Sequence, residues 1–286
     1  LPEVQTIIDD LNRKIKGDII TGFWSDWKKS VRMPVEKFEK EIKGKKILSA
    51  SRIGKNIFIN LSGGKTIYIH LKMTGHLLVK SKKLPPKADQ PLAEKVKNDE
   101  KDYFNDKVNQ YIHHIFYLKS GRTLEFSDLR KFGKIILEDT DKIEEAKEIK
   151  SLGVDAMSKE FMLEKLDKIL DEKKTAVKLL LMDQSKLAGV GNIYASEILY
   201  EAGILPARPA DKISREERKK LYCAIKKTLE KAIKLRGTSD SDYRDTAGAP
   251  GKFQEILKVY RRAGKKCSKC GTIIERIKLG QRGTFF

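Results

Sequence analysis

The stretch DQSKLAGVGNIYASEILYEAGILPARPA, residues 183–210, limits the chain's options more than any other. Gly189 and Gly191 bracket a turn, and Asn192 is suited to cap the helix that follows. Ile193, Ile198 and Leu199 give that helix an apolar side. Gly203 stands where a C-terminal cap glycine belongs, and Pro206 and Pro209 stop any continuation. A glycine-lined turn feeding a helix N-terminus presents backbone N–H groups and the positive end of a dipole, which suits an anion. The same pattern also describes a plain helix–turn–helix packing element, and local chemistry leaves both readings open.

Charge weights the choice. The 286 residues carry 60 Lys+Arg against 40 Asp+Glu, a formal net charge of +20, with a pI near 9.6. Such a balance favours a polyanionic partner, with nucleic acid ahead of an anionic membrane because no basic amphipathic helix with a bulky aromatic face stands out. No apolar run of about 18 residues marks a membrane span, and no signal-peptide pattern opens the chain. Three cysteines do not form a disulfide framework, and they point to a reducing, cytoplasmic setting.

The N-terminal half reads as one helix and then strands. Ile7, Ile8, Leu11 and Ile15 fall at helical spacing from Val4, and Gly17 ends the run. A basic aromatic segment follows, with Phe23, Trp24, Trp27, Lys28 and Lys29. Ile57, Ile59 and Leu61 alternate with Phe58 and Asn60, and Ile67, Ile69 and Leu71 return after a Gly63-Gly64 turn, which predicts a β-hairpin. Further strands are expected over 115–118, 123–126 and 133–137. A two-layer β-sandwich or open barrel, flanked by the first helix, is the economical arrangement. Residues 80–110, with Lys82, Lys83, Pro85, Pro86 and Pro91, read as a long surface loop or insertion. Two strand-end loops look purposeful: 70–76 (HLKMTGH) places Met73 among small residues, and 127–133 (SDLRKFG) groups Arg130, Lys131 and Phe132. Cations beside an exposed apolar wedge suit a duplex, although Met73 and Phe132 taken singly also fit a core.

Helical spacing takes over after about Leu152. Ser158 is expected to cap a helix carrying Phe161, Met162, Leu166, Ile169 and Leu170, and Lys173, Lys174 and Lys178 bring charge towards the glycine turn. Ser214 with Glu217 forms a capping box ahead of Leu221, Ala224, Ile225, Leu229, Ala232 and Ile233. Residues 238–251 (TSDSDYRDTAGAPG) read as a mobile loop, and Cys223 as a buried core thiol. Cys267 and Cys270 form a C-x₂-C knuckle of the kind that gives two thiolates to tetrahedral zinc. A second knuckle about 15–20 residues on would complete a four-cysteine ribbon, but residues 271–286 hold no cysteine, so either the next knuckle lies beyond Phe286 or the hairpin is metal-free.

Seven ordered motifs, LPEVQTI, RIGKNIFINL, HLKMTGHL, FSDLRKFG, KTAVKLLLMDQ, AGVGNIYASEILYEAGILPARPA and KVYRRAGKKCSKCGTIIERIKLGQRGTF, span nearly the whole chain. Together they resemble the formamidopyrimidine-DNA glycosylase family, bacterial enzymes that excise oxidised purines and nick the abasic strand. The endonuclease VIII-like branch, acting on oxidised pyrimidines, shares the architecture but fits the FSDLRKFG loop less well. The resemblance implies an α+β, multidomain chain: an N-terminal β-sandwich over 1–140 interrupted by the 80–110 insertion, a linker over 141–151, a helix-two-turn-helix domain over 152–256, and a zinc-finger hairpin over 257–286. The partner it implies is double-stranded DNA carrying oxidised bases or abasic sites, bound by a monomer, with one zinc ion in the complete finger. It further implies that Asn192 and Lys173 contact DNA, that Met73, Arg130 and Phe132 fill the space left by an extruded base, and that Tyr243 lies in the loop over that base. Lys55 matches a lysine with an acid/base role in β-elimination, and Arg282 a phosphate-clamping arginine assigned to δ-elimination. His113 lies on the family's histidine-bearing strand, where Tyr111 replaces a second histidine. The family nucleophile is the amine of an N-terminal proline followed by glutamate. Leu1-Pro2-Glu3-Val4 aligns with the third to sixth family residues, so the nitrogen of Pro2 is an amide, and the catalytic Pro-Glu pair is expected ahead of Leu1. By the same comparison, the third zinc cysteine is expected one residue after Phe286. A non-catalytic binder of damaged DNA and a basic RNA-binding module remain as competing expectations.

Overall fold

Helix α1 (Pro2–Lys14) begins on a proline, whose missing N–H costs nothing in the first turn. It lays Val4, Ile7, Ile8 and Leu11 into the core of a β-sandwich. The computed structural model describes residues 1–81, 102–240 and 242–286. The expected Lys- and Pro-rich insertion, with Lys82, Lys83, Pro85, Pro86 and Pro91, lies outside the described residues.

One antiparallel sheet runs in the order β1 (Ile20–Ser25), β6 (Ile112–Leu118), β7 (Thr123–Asp128), β5 (Gly75–Lys80). The other runs β2 (Ile47–Ile53), β3 (Asn56–Leu61), β4 (Lys65–His70), β8 (Lys134–Asp139). Ile57, Ile59 and Leu61 alternate into the shared core beside Phe116, Phe126 and Phe38 of helix α2 (Val35–Ile42). Phe58 points the other way and is buried too. With Tyr68 it meets Ile143 and Ile149, the latter on the single turn α3 (Lys147–Lys150), in a second small cluster.

The short strands β9 (Val154–Asp155) and β10 (Leu187–Ala188) pair in parallel and lead into the helical half: α4 (Leu163–Asp171), α5 (Val177–Met182), α6 (Asn192–Ala202) and α7 (Arg215–Lys234). Leu166, Leu170, Leu180, Ile198, Leu221 and Leu229 are fully buried among them. The Ser214–Glu217 capping box forms as expected, and Gly203 closes α6 at φ 71°. Glu197, buried on α6, accepts the backbone N–H groups of Lys258, Val259 and Tyr260 at 2.8, 3.0 and 2.9 Å. That carboxylate ties the helical half to the terminal hairpin of β11 (Arg276–Leu279) and β12 (Arg282–Phe285). Among the described residues, no helix is long and apolar enough to cross a membrane.

Five local expectations change. Helix α4 starts at Leu163, not after Ser158, because Phe161 is a core plug whose carbonyl accepts the Tyr222 hydroxyl at 3.2 Å. Gly191, extended at φ −119° and ψ 179°, is the N-cap of α6, and Asn192 is its first helical residue. Cys223 is exposed, since two residues along a helix from buried Leu221 is about 200° around it. Residues 103–110 are not a plain surface loop: Asn109 is fully buried and pairs with His76 Nε2 at 2.8 Å. The loop after α7 is likewise docked, with Thr238, Asp245 and Thr246 all buried.

Candidate active-site pocket and nucleic-acid interface

A pocket of about 250 Å³ opens where α1, the β2–β3 turn and the N-terminus of α6 meet, lined by Glu3, Lys55, Met73, Asn192, Tyr194, Thr238 and Tyr243 among others. Glu3 is its central acid. One of its carboxylate oxygens accepts the Tyr194 hydroxyl and the Thr238 backbone N–H (3.1 Å). Burial pushes the Glu3 carboxyl up, and the hydrogen bonds from the Tyr194 hydroxyl and the Thr238 N–H act against it. The Tyr194 phenol is pushed well up by burial and the facing carboxylate, so it stays a donor.

Lys55 projects from the Gly54 turn to within 3.4 Å of the Val190 carbonyl. A β-carbon at Gly191 would stand 3.2 Å from its Nζ, so the bare glycine leaves room for the amine. Burial lowers the Lys55 pKa; Glu3 opposes that fall and the Arg282 guanidinium adds to it. His70, at the end of β4, is brought to about 4 by burial and the charges of Lys72, Lys55 and Lys134, so it is a neutral imidazole beside a cationic group.

Beside the pocket, Met73, Arg130 and Phe132 form one exposed cluster. An Arg130 guanidinium nitrogen lies 3.4 Å from the Met73 sulfur, and the guanidinium carbon stands 4.7 Å from the Phe132 ring centre. Met73 is 68% exposed and Phe132 51%, which removes the core reading of both. The scaffold beneath explains the motifs. Buried Asp128 accepts the Thr74 hydroxyl from one loop and the N–H groups of Phe132 and Gly133 from the other, at 2.9 and 2.8 Å. Gly75 and Gly133 both abut the Phe126 ring, where a β-carbon would approach to 2.8 and 2.4 Å.

Beside Asn192, the hairpin bearing exposed Arg282 is held from below. Fully buried Lys178 donates to the Gly283 carbonyl at 3.2 Å and the Thr284 hydroxyl at 2.8 Å, while Asn192 Nδ2 donates to Gly283 at 3.3 Å. The turn before α6 is organised by Gln184, which accepts the Gly189 N–H and donates to the Val190 carbonyl.

This arrangement has close counterparts. The family profile of the formamidopyrimidine-DNA glycosylase N-terminal domain matches residues 1–135, and that of its H2TH domain matches 152–243. The chain belongs to the formamidopyrimidine-DNA glycosylase family. The enzyme of that name from Pelotomaculum thermopropionicum is 39% identical over 287 residues, covering 100% of this chain and 96% of that protein. The one from Desulforamulus reducens is 35% identical, with the same coverage. Among solved structures, a complex of Lactococcus lactis Fpg with abasic-site DNA superposes with TM-score 0.84 at 29% identity, covering 100% of this chain and 97% of that one. A MutM complex with carbocyclic 8-oxo-G DNA gives 0.82, with the same identity and coverage. Both family profiles and these folds bear out the expected α+β architecture: a β-sandwich joined to a helix-two-turn-helix domain.

Within the family frame, Lys55, Met73, Asn192 and Tyr243 line the pocket, with Arg130, Phe132 and Arg282 around it. Lys173 is exposed beyond α4, while Lys178, five residues on, is buried beneath the Arg282 hairpin. His113 is not among the residues lining the pocket, and its Nδ1 lies 2.8 Å from Asp26. His70 and Tyr194 escaped sequence reading, since nothing local to either signals a partner.

Residues 264–286 match the zinc finger found in FPG and IleRS, and Cys267 and Cys270 are its knuckle. The Cys267 thiol is lowered to about 7 by backbone N–H groups of Lys269 and Cys270, which favours a thiolate. Two thiolates fit half of a tetrahedral zinc shell. Among the described residues no group of three or more His, Cys, Asp or Glu converges.

Proposed function

We propose that the chain acts in base-excision repair as a DNA glycosylase and abasic-site lyase, removing oxidised purines such as 8-oxoguanine and formamidopyrimidines from duplex DNA. The observation that carries this reading is the single pocket in which Glu3, Lys55 and the glycine turn of α6 converge, with a cation-backed wedge on one rim and the Arg282 hairpin on the other. An extruded base needs a filler for the gap it leaves, and Met73, Arg130 and Phe132 are of the right shape and charge. The phosphates on either side meet a positive field from Lys55, Arg282 and the N-terminus of α6.

The chemistry is that of an amine attacking the sugar C1′ as the bond to the base breaks. The resulting iminium acidifies the C2′ proton, whose removal expels the 3′ phosphate. Lys55, with its pKa lowered chiefly by burial, suits proton transfer in that elimination. Arg282 suits the phosphate that leaves in the second elimination. Tyr243 and Thr238 form the wall facing the base. We place the protein with the bacterial chromosome in the cytoplasm, as a monomer.

The test is borohydride trapping of protein carrying a Pro-Glu pair ahead of Leu1 on a duplex with 8-oxoguanine. A covalent adduct and a nicked strand are expected. Lesion-selective binding by well-folded protein without either would make it a binder of damaged DNA instead.

A further inference from the structure

We propose that Arg236 is a positioning residue that clamps the arm 243–251 onto helix α1 and thereby sets the base-facing wall of the pocket. The proposal rests on the glycosylase reading above, in which Tyr243 faces the damaged base.

Arg236 follows α7 in the left-handed region, at φ 60°, a conformation costly for a long side chain and kept only where its surroundings demand it. What it gains is a bridge. Its Nη2 donates to Asp10 of α1 at 2.5 Å and lies 2.7 Å from Asp245 of the arm, and its Nε donates to the same Asp245 oxygen at 2.8 Å. Both carboxylates are buried, Asp10 at 1% and Asp245 at 3% exposure. Two buried carboxylates facing one gap repel each other unless a cation lies between them. The remaining oxygens are used as well. Asp245 Oδ1 accepts the N–H groups of Ala247 and Ala249 at 2.8 and 3.0 Å, which folds the arm's tip. The Thr246 hydroxyl donates to Asp10 at 2.7 Å and accepts from Lys14 at 2.8 Å, while its carbonyl takes the N–H of Val79 on β5.

The arm keeps backbone bonds in its tip, from the Asp245 N–H to Ala249 and from the Gly248 N–H to Asp245. It is also held by Asn109 Nδ2 on the Gly248 carbonyl at 3.1 Å and by Arg244 at 3.5 Å from Asp106, but its charged tie to the helix that carries Glu3 runs through Arg236. Tyr243 stands at its start, with its hydroxyl 3.4 Å from the Glu3 carbonyl, and Gly237 next door is so tight that a β-carbon would meet Glu3 at 3.0 Å and Tyr243 at 3.2 Å. Releasing Arg236 frees the wall that meets the base. Among the described residues, the side that meets sugar and phosphate, built by Lys55, Asn192 and the Arg282 hairpin, shares no hydrogen bond with this network.

The experiment compares wild type with Arg236→Ala and Asp245→Asn. In amide hydrogen exchange, residues 243–251 and Val79 are expected to exchange at least about tenfold faster, with α6 and α7 unchanged. In anisotropy titrations, affinity for an 8-oxoguanine duplex is expected to fall about fivefold or more, while affinity for a tetrahydrofuran abasic-site duplex stays within about twofold. Unchanged exchange in the arm, or equal losses on both duplexes, overturns the proposal. Should Arg236→Ala fail to fold, Asp245→Asn carries the test, because its amide oxygen still accepts from Ala247 and Ala249. Wild type that fails to prefer either damaged duplex over an undamaged one defeats the glycosylase reading, while the exchange measurement still decides the clamp.

Discussion

Lys178 gives the sharpest quantitative prediction. It sits fully buried on α5 with two hydrogen bonds to the terminal hairpin, and burial lowers its pKa from 10.5 to about 8. That fall corresponds to ~3 kcal/mol of differential solvation. Below pH 8 the lysine is charged whether the chain is folded or unfolded, and its cost to stability is constant. Between pH 8 and 10.5 the folded chain has released the proton and the unfolded chain still holds it, so stability rises with pH. Lys178→Met keeps the volume and removes the titration. The stability of wild type minus that of the variant is therefore expected to grow by ~3 kcal/mol from below pH 8 to above pH 10, at a slope of at most ~1.4 kcal/mol per pH unit. Urea unfolding of both proteins across that range measures it, and the subtraction cancels every other titrating group. A flat or falling difference would refute the argument that the ammonium is held against its solvation. The functional cost falls on the hairpin: Gly283 keeps only the Asn192 amide as side-chain donor, so weaker duplex binding is expected at neutral pH even where stability is unchanged.

Gly133→Ala places a β-carbon 2.4 Å from the Phe126 ring and is expected to cost ~1–3 kcal/mol in thermal unfolding; adding Phe126→Leu should recover part of that loss, and strict additivity would show that the two do not meet. Asn192→Ala removes a bond to Gly283 and a polar group at the head of α6, and is expected to weaken all duplexes alike in anisotropy titrations. A loss confined to one lesion would mean that the residue reads the base.

The fold was largely legible because its signals are local. The β3–β4 hairpin, the Ser214–Glu217 box, the Gly203 cap and the α1 stripe each need only a few neighbouring residues to be recognised. The differences are local too, and each has a packing cause: the spacing of Phe161 matches a helix, but its buried ring is needed as a plug just before the helix begins. The site was legible only in part. Met73, Arg130 and Phe132 stood out because apolar and cationic groups shared strand-end loops, but their common support, Asp128 with Gly75 and Gly133 against Phe126, joins loops more than fifty residues apart. Tyr194 meets Glu3 across 191 positions, and Lys178 meets Thr284 across 106. Periodicity reports which side of an element faces inward, and it is silent on what waits there. It does carry one unused signal. Asp10 lies beside Ile7 and Leu11 in the buried stripe of α1, Glu197 beside Ile198 in α6, and Lys178 beside Val177 in α5. A charge at an inward position must find a partner, because leaving it unpaired costs more than the surrounding apolar contacts return. Each of these three residues proves to be a junction between distant segments: the arm, the linker to the finger, and the Arg282 hairpin. A charge that interrupts an apolar stripe therefore marks where the chain closes on itself, even when the partner's identity has to come from the fold.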